Sequence, residues 1–138
     1  MLKHAELFMQ GLKIFKFGFS SEDREGKTLV YLPIDDKDKI VCLFDGDDGQ
    51  WFTVFTVIDG VPADKIFKAV ALCNEMNTKH MWAKFTVGPG QNGSKAVHIN
   101  YSALLAEAET AAQAIEFLFK FIDICEAEIS NIRNFIGA

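Results

Sequence analysis

The chain has 138 residues, 49% of them apolar and 24% charged, with 14 Lys and Arg against 19 Asp and Glu for a formal charge of −5. That length supports a core without metal or disulfide staples, and that balance excludes wholesale disorder. An acidic chain lacks the field that gathers polyanions, so neither nucleic acid nor an anionic membrane is an expected partner.

Residues 2 to about 10 read as a short helix, with Leu2, Ala5, Leu7, Phe8 and Met9 on its apolar side before Gly11. Leu12 to Phe19 alternates Phe15, Phe17 and Phe19 with Ile14, Lys16 and Gly18, which suggests an extended edge segment. Ser20 to Gly26 is polar throughout and reads as a turn. Three strand-like runs follow, Lys27–Ile34, Ile40–Phe44 and Trp51–Ile58, separated by short charged or glycine-bearing stretches that favour antiparallel hairpins. The third run is apolar on both sides, Phe52, Val54 and Ile58 against Trp51, Phe55 and Val57. Helices are expected over one of those faces and another partner over the second.

Asp59-Gly60-Val61-Pro62 stops the strand, and residues 62–77 then place Ile66, Phe67, Val70, Cys73 and Met76 at helical spacing. Met81–Val87 and Ala96–Tyr101 each alternate with a period of two, which predicts two half-buried strands. Residues 110–135 hold no Gly or Pro, and Ile115, Leu118, Ile122, Cys125, Ile129, Ile132 and Ile136 form a seam at heptad spacing. The pattern is an α+β domain spanning residues 1–138, with an antiparallel sheet in the order α-β-β-β-α-β-β-α.

The stretch Gly88-Pro89-Gly90-Gln91-Asn92-Gly93-Ser94-Lys95 fits G-x-G-x-x-G, but a dinucleotide fingerprint needs a following helix to offer its free N–H groups. Here an alternating strand follows, Ser94 and Lys95 stand in the wrong order for a phosphate loop, and a kinase's other motifs are missing. A hairpin loop is the reading. Asp45-Gly46-Asp47-Asp48-Gly49 fails the calcium-loop pattern at its fifth, sixth and twelfth positions. His4, His80 and His98 lack metal-ligand spacing, and no C-x-x-C or G-x-S-x-G occurs. Cys42, Cys73 and Cys125 lie among aliphatic neighbours and read as buried thiols in a reduced, cytoplasmic compartment. No catalytic, cofactor-binding or metal-binding residue is assigned, and no enzyme activity is expected.

The remaining signal is surface. The sheet face bearing Trp51, Phe55 and Trp82 is a candidate protein contact, and Ile129, Ile132 and Ile136 are candidate dimer contacts on the second half of the seam. Core packing along the whole seam is the competing expectation, which periodicity alone does not separate from an interface. An alternative function is a small-molecule site or enzyme pocket between sheet and helices, with His98, Asn100 and Tyr101 as its polar groups.

The element order, together with Val61-Pro62-Ala63-Asp64-Lys65 opening the middle helix, Leu72-Cys73-Asn74-Glu75-Met76-Asn77 ending it, Lys84-Phe85-Thr86-Val87 and Ile99-Asn100-Tyr101, resembles the YbjN family. These are small bacterial domains labelled regulators of sensory transduction. The resemblance, from about Gly26 onward, implies a fold like that of type III secretion chaperones. It also implies a non-catalytic, homodimeric domain that binds extended segments of other proteins, and it supplies no catalytic residue. The combined expectation is a protein-binding module with a chaperone- or regulator-like role.

Overall fold

The computed structural model describes residues 1–106 and 110–137. Helix α1 (Lys3–Ile14) is followed by strands β1 (Ser20–Arg24), β2 (Lys27–Pro33), β3 (Lys39–Asp45) and β4 (Trp51–Val61). A single 3-10 turn (Ala63–Lys65) leads into α2 (Ile66–Lys79), the hairpin of β5 (Lys84–Pro89) and β6 (Lys95–Leu104), and the long helix α3 (Thr110–Ile136). The six strands are hydrogen-bonded in the order β1-β2-β3-β4-β6-β5. The α+β class is as expected, with one strand more than the alternation indicated.

That strand is β1, in the stretch expected to be a turn. It holds no apolar residue and is exposed along nearly its whole length. Its register comes from β2, running from Ser20 opposite Tyr31 to Arg24 opposite Lys27. Glu25 and Gly26 make the two-residue connection with φ of 54° and 78°, the mirror-image turn whose twist suits a hairpin. The Phe-rich run before it is not extended from Leu12: α1 continues to Ile14.

Contacts between residues gather into two compact units, Met1–Phe55 with Ser102–Lys120, and Thr56–Tyr101 with Phe121–Ala138. In the first, Phe8 lies against Phe44 (5.1 Å between ring centroids) and Phe52 (6.0 Å), and Phe52 stacks on Phe117 from α3 (6.4 Å). These tilted rings, with Val30, Leu32, Ile40, Cys42 and Val54, bury one face of β2–β4 under α1 and the start of α3. In the second unit, Ala69, Cys73 and Met76 of α2 and Phe85, Val97 and Ile99 of the hairpin are buried, as are Phe121, Cys125, Ile129, Ile132 and Ile136 of α3. Lys65 Nζ donates to the carbonyl of Phe135 at 3.0 Å and ties the start of α2 to the end of α3.

Candidate functional site

Among the described residues of the first unit, no helix covers the other face of β2–β4, the one set by the opposite strand parity. Leu29 stands opposite Leu43 and Leu43 opposite Thr53, while Tyr31, Val41 and Phe55 form a second cross-strand row. Leu29, Tyr31, Leu43 and Phe55 are half-buried, and Val41 is covered between its two larger row neighbours. Trp51, opposite Asp45, is 54% exposed. Thr53 Oγ1 shares a hydrogen bond of 2.8 Å with Ser102 Oγ, which carries the face on to Leu104, 59% exposed. The result is a continuous apolar surface with charges at its margin, among them the Lys27–Asp45 pair at 3.7 Å.

One corner of this surface is a groove of about 500 Å³ lined by Gly18, Phe19, Ser20, Tyr31, Pro33 and Lys39. Lys39 Nζ lies 4.8 Å from the centroid of the Tyr31 ring, a cation–π distance. The Tyr31 hydroxyl donates to Glu22 Oε1. That bond, with a smaller contribution from Arg24, holds the Glu22 carboxyl below its usual range. The same bond, with a smaller contribution from burial, pushes the Tyr31 phenol up. A groove with apolar walls, one ammonium and a fixed phenol suits an anchoring side chain of a partner.

The sequence-predicted contacts divide. Trp51 and Phe55 share the open face just described. Trp82 belongs to the second unit and lies in the turn before β5, which begins at Lys84 rather than Met81; it is half-buried and stacked on Tyr101 at 3.9 Å and 16°. Ile129, Ile132 and Ile136 are 7%, 0% and 1% exposed, so their side chains lie in the core of the chain itself. The α2 periodicity also assigned two residues to the wrong side: Phe67 is 90% exposed and Val70 stands out beside it, because Ala69, Cys73 and Met76 form the buried stripe. Of the alternative pocket residues, Tyr101 is covered by Trp82, and His98 Nε2 is bonded to the Pro89 carbonyl at 2.8 Å. Asn100 is half-buried opposite Lys84 on β5.

The glycine loop is a hairpin connection, and its anion site is already occupied by the chain. Asp59 Oδ2 accepts the Gln91 N–H at 2.9 Å, and Oδ1 accepts the Ser94 hydroxyl at 3.0 Å. Hydrogen bonds from Gln91 and Gly60 N–H, with a smaller one from Ser94, hold the Asp59 carboxyl below its usual range. A Cβ at Gly90 would lie 2.3 Å from Asp59 Oδ1, so only glycine allows this approach. Sequence gave no sign of Asp59, because its partners lie 32 and 35 residues away.

A second polar cluster was equally hidden. Glu128 is fully buried on α3, yet its Oε2 lies 2.6 Å from His80 Nε2 and 3.1 Å from Lys79 Nζ, while Asn131 donates to Oε1 at 3.1 Å. Burial acts to raise its pKa, but hydrogen bonds from His80, Asn131 and Lys79 together outweigh that and hold it low. Every oxygen of this carboxylate is engaged, so the cluster serves as an internal clamp. Cys42, Cys73 and Cys125 are buried, and burial pushes the Cys42 and Cys73 thiols up, away from the reactive thiolate. Among the described residues, no group of three or more His, Cys, Asp and Glu is placed to hold a metal ion, and no helix is long and apolar enough to cross a membrane.

Comparison with known proteins adds a family. Residues 9–133 match the family model YbjN, described as "Putative bacterial sensory transduction regulator". No curated protein matches the chain. Among solved structures, that of YbjN from E. coli, described as "a putative transcription regulator", is similar at 15% sequence identity with a TM-score of 0.61. The match covers 93% of this chain and 87% of that one, and at this identity it establishes a shared fold.

Proposed function

The chain belongs to the YbjN family, and from that premise we propose that it is a non-catalytic, regulator-like module that binds a segment of another protein on the open sheet face of its first unit. One observation carries the reading: an antiparallel sheet covered by helices on one side presents Leu29, Leu43, Trp51, Phe55 and Leu104 on the other. A water-facing sheet side ordinarily alternates to polar residues, so contiguous apolar side chains there mark an interaction surface. Trp51 and Tyr31 are the residue types that dominate binding energy, and the groove beside Tyr31 supplies a place for an anchor.

The test is a peptide-display selection against the intact protein, followed by titration of the selected peptides into the Trp51→Ala/Phe55→Ala variant. Binding should fall by at least about 2 kcal/mol, with the far-UV spectrum unchanged. Peptides that bind both forms equally would remove the sheet face from the proposal. Because Ile129, Ile132 and Ile136 of the C-terminal seam are buried within the chain, self-association would use this face, and sedimentation velocity over a wide concentration range tests it. The groove lined by Phe19, Tyr31 and Lys39 also favours a second reading, small-molecule binding. Under that reading one metabolite class would raise the melting temperature while no peptide bound.

A further inference from the structure

The Phe-rich end of α1 takes no part in the sheet face, and it has three properties that belong together. The helix closes with the Lys16 N–H bonded to the Lys13 carbonyl and the Phe17 N–H to the Leu12 carbonyl, both at 3.0 Å. This is the double closure in which the residue after the cap is left-handed and is ordinarily glycine. Here it is Lys16, with φ of 61°, a conformation disfavoured for any residue with a Cβ. A side chain kept where glycine would be more stable is a reason to look for its use.

Around it the surface is apolar. Ile14 is 78% and Phe15 is 55% exposed. Phe15 meets Phe119 of α3 edge-on at 5.3 Å and 89°, and Phe17 lies 5.9 Å from the same ring. The three rings make a fixed floor rather than a set of loose side chains. The charge is the reverse of the chain's: residues 12–19 hold Lys13 and Lys16 and no acid, in a protein of net −5. Among the described residues neither lysine forms a salt bridge, and Lys120, next to Phe119, reaches only the exposed Glu116 at 3.7 Å.

We propose that this lysine-rimmed aromatic floor, formed by Lys13, Ile14, Phe15, Lys16, Phe17 and Phe119, docks an acidic segment of a partner protein that carries apolar residues between its carboxylates. The apolar floor supplies contact area and the lysines select the sign of the charge. The same chemistry could address an anionic bilayer. Two lysines on a chain of net −5 give a weak pull toward such a surface, whereas a single acidic segment meets only the local positive field.

The probe is a fluorescein-labelled peptide of roughly a dozen residues alternating Glu with Leu and Phe, compared with one in which every Glu is Lys. Anisotropy should show saturable binding of the acidic peptide alone, weakening several-fold between about 50 and 300 mM NaCl. Lys13→Glu/Lys16→Glu should weaken it by about tenfold or more, with Lys13→Gln/Lys16→Gln in reserve if the reversed charges disturb folding. Lys16→Gly is the sharper variant: it should raise the melting temperature by about 2–4 °C and still weaken the acidic peptide by roughly threefold. Equal binding of the two peptides, or no saturable binding of the acidic one, would overturn the proposal. So would acidic-peptide binding that neither double variant nor Lys16→Gly weakens. Co-sedimentation with vesicles of about three parts phosphatidylcholine to one of phosphatidylserine, without peptide binding, would assign the surface to membranes instead.

Discussion

Asp59 occupies the place that a phosphate takes in a glycine-rich nucleotide loop: its carboxylate receives a loop N–H and a loop hydroxyl. The loop is therefore organised around an internal anion, and Gly90 is the residue that allows it. In Gly90→Ala the new methyl would meet Asp59 Oδ1 and the backbone carbon of Lys95 at 3.1 Å, and backbone does not yield. The expected cost is about 1–3 kcal/mol in urea unfolding. Adding Asp59→Ala removes the nearest obstacle, so the double variant should lose less than the two single losses combined; strict additivity would contradict the contact. Glu128 permits a test by pH. Its folded pKa is depressed below its ordinary 4.5, so the stability it contributes is fully present above that value and is lost as pH falls through the folded pKa. Glu128→Gln should therefore cost about 1–3 kcal/mol at neutral pH. The gap between the proteins should close below about pH 4.5, and a gap independent of pH would remove the ionised carboxylate from the explanation.

Elements explain what the sequence could and could not disclose. Strands β2, β3 and β4 were legible because they alternate, and so Trp51 and Phe55 were placed on a common face before any register was known. β1 was not legible: Ser20-Ser21-Glu22-Asp23-Arg24 has no apolar period, and its pairing is set by a neighbour and a turn. The outward side of α2 was misassigned because Ile66, Phe67, Ala69 and Val70 satisfy two stripes, and only packing chooses between them. Leu29, Leu43 and Leu104 joined the face only once the register and the Ser102 contact were known. The edges of the sheet also separate face from edge as a binding mode. β1 is guarded by charge, and β5 by Asn77, whose amide both donates to the Phe85 carbonyl at 2.9 Å and accepts the Phe85 N–H at 2.7 Å. That side chain imitates a neighbouring strand and closes the ladder at this point. Asn77→Ala should cost about 1–3 kcal/mol and expose a pairing edge, seen as faster exchange of the Phe85 amide and concentration-dependent association. If Phe85 exchange is unchanged, the edge is protected by something other than Asn77.

At the scale of the whole molecule, charge and exposed apolar surface oppose each other. The net charge of −5 at neutral pH repels like copies, while Trp51 and Leu104 in the first unit, and Phe67 and Met81 in the second, are exposed and offer apolar contact. The balance should tip where the repulsion vanishes, near the sequence pI of about 5.1. That pH lies above the range in which Glu128 loses its charge, so the clamp holds and the associating species is the native one. Light scattering should thus show association rising from pH 7 toward pH 5.1, with the far-UV spectrum unchanged. Added salt at pH 7 should act in the same direction, because it screens repulsion and leaves apolar attraction intact. Trp51→Ser/Leu104→Ser should blunt the rise, and Phe67→Ser should reveal how much of it belongs to α2. If none of these substitutions alters the scattering, the association is governed by charge alone, and the open sheet face loses its claim to be the adhesive surface of the molecule.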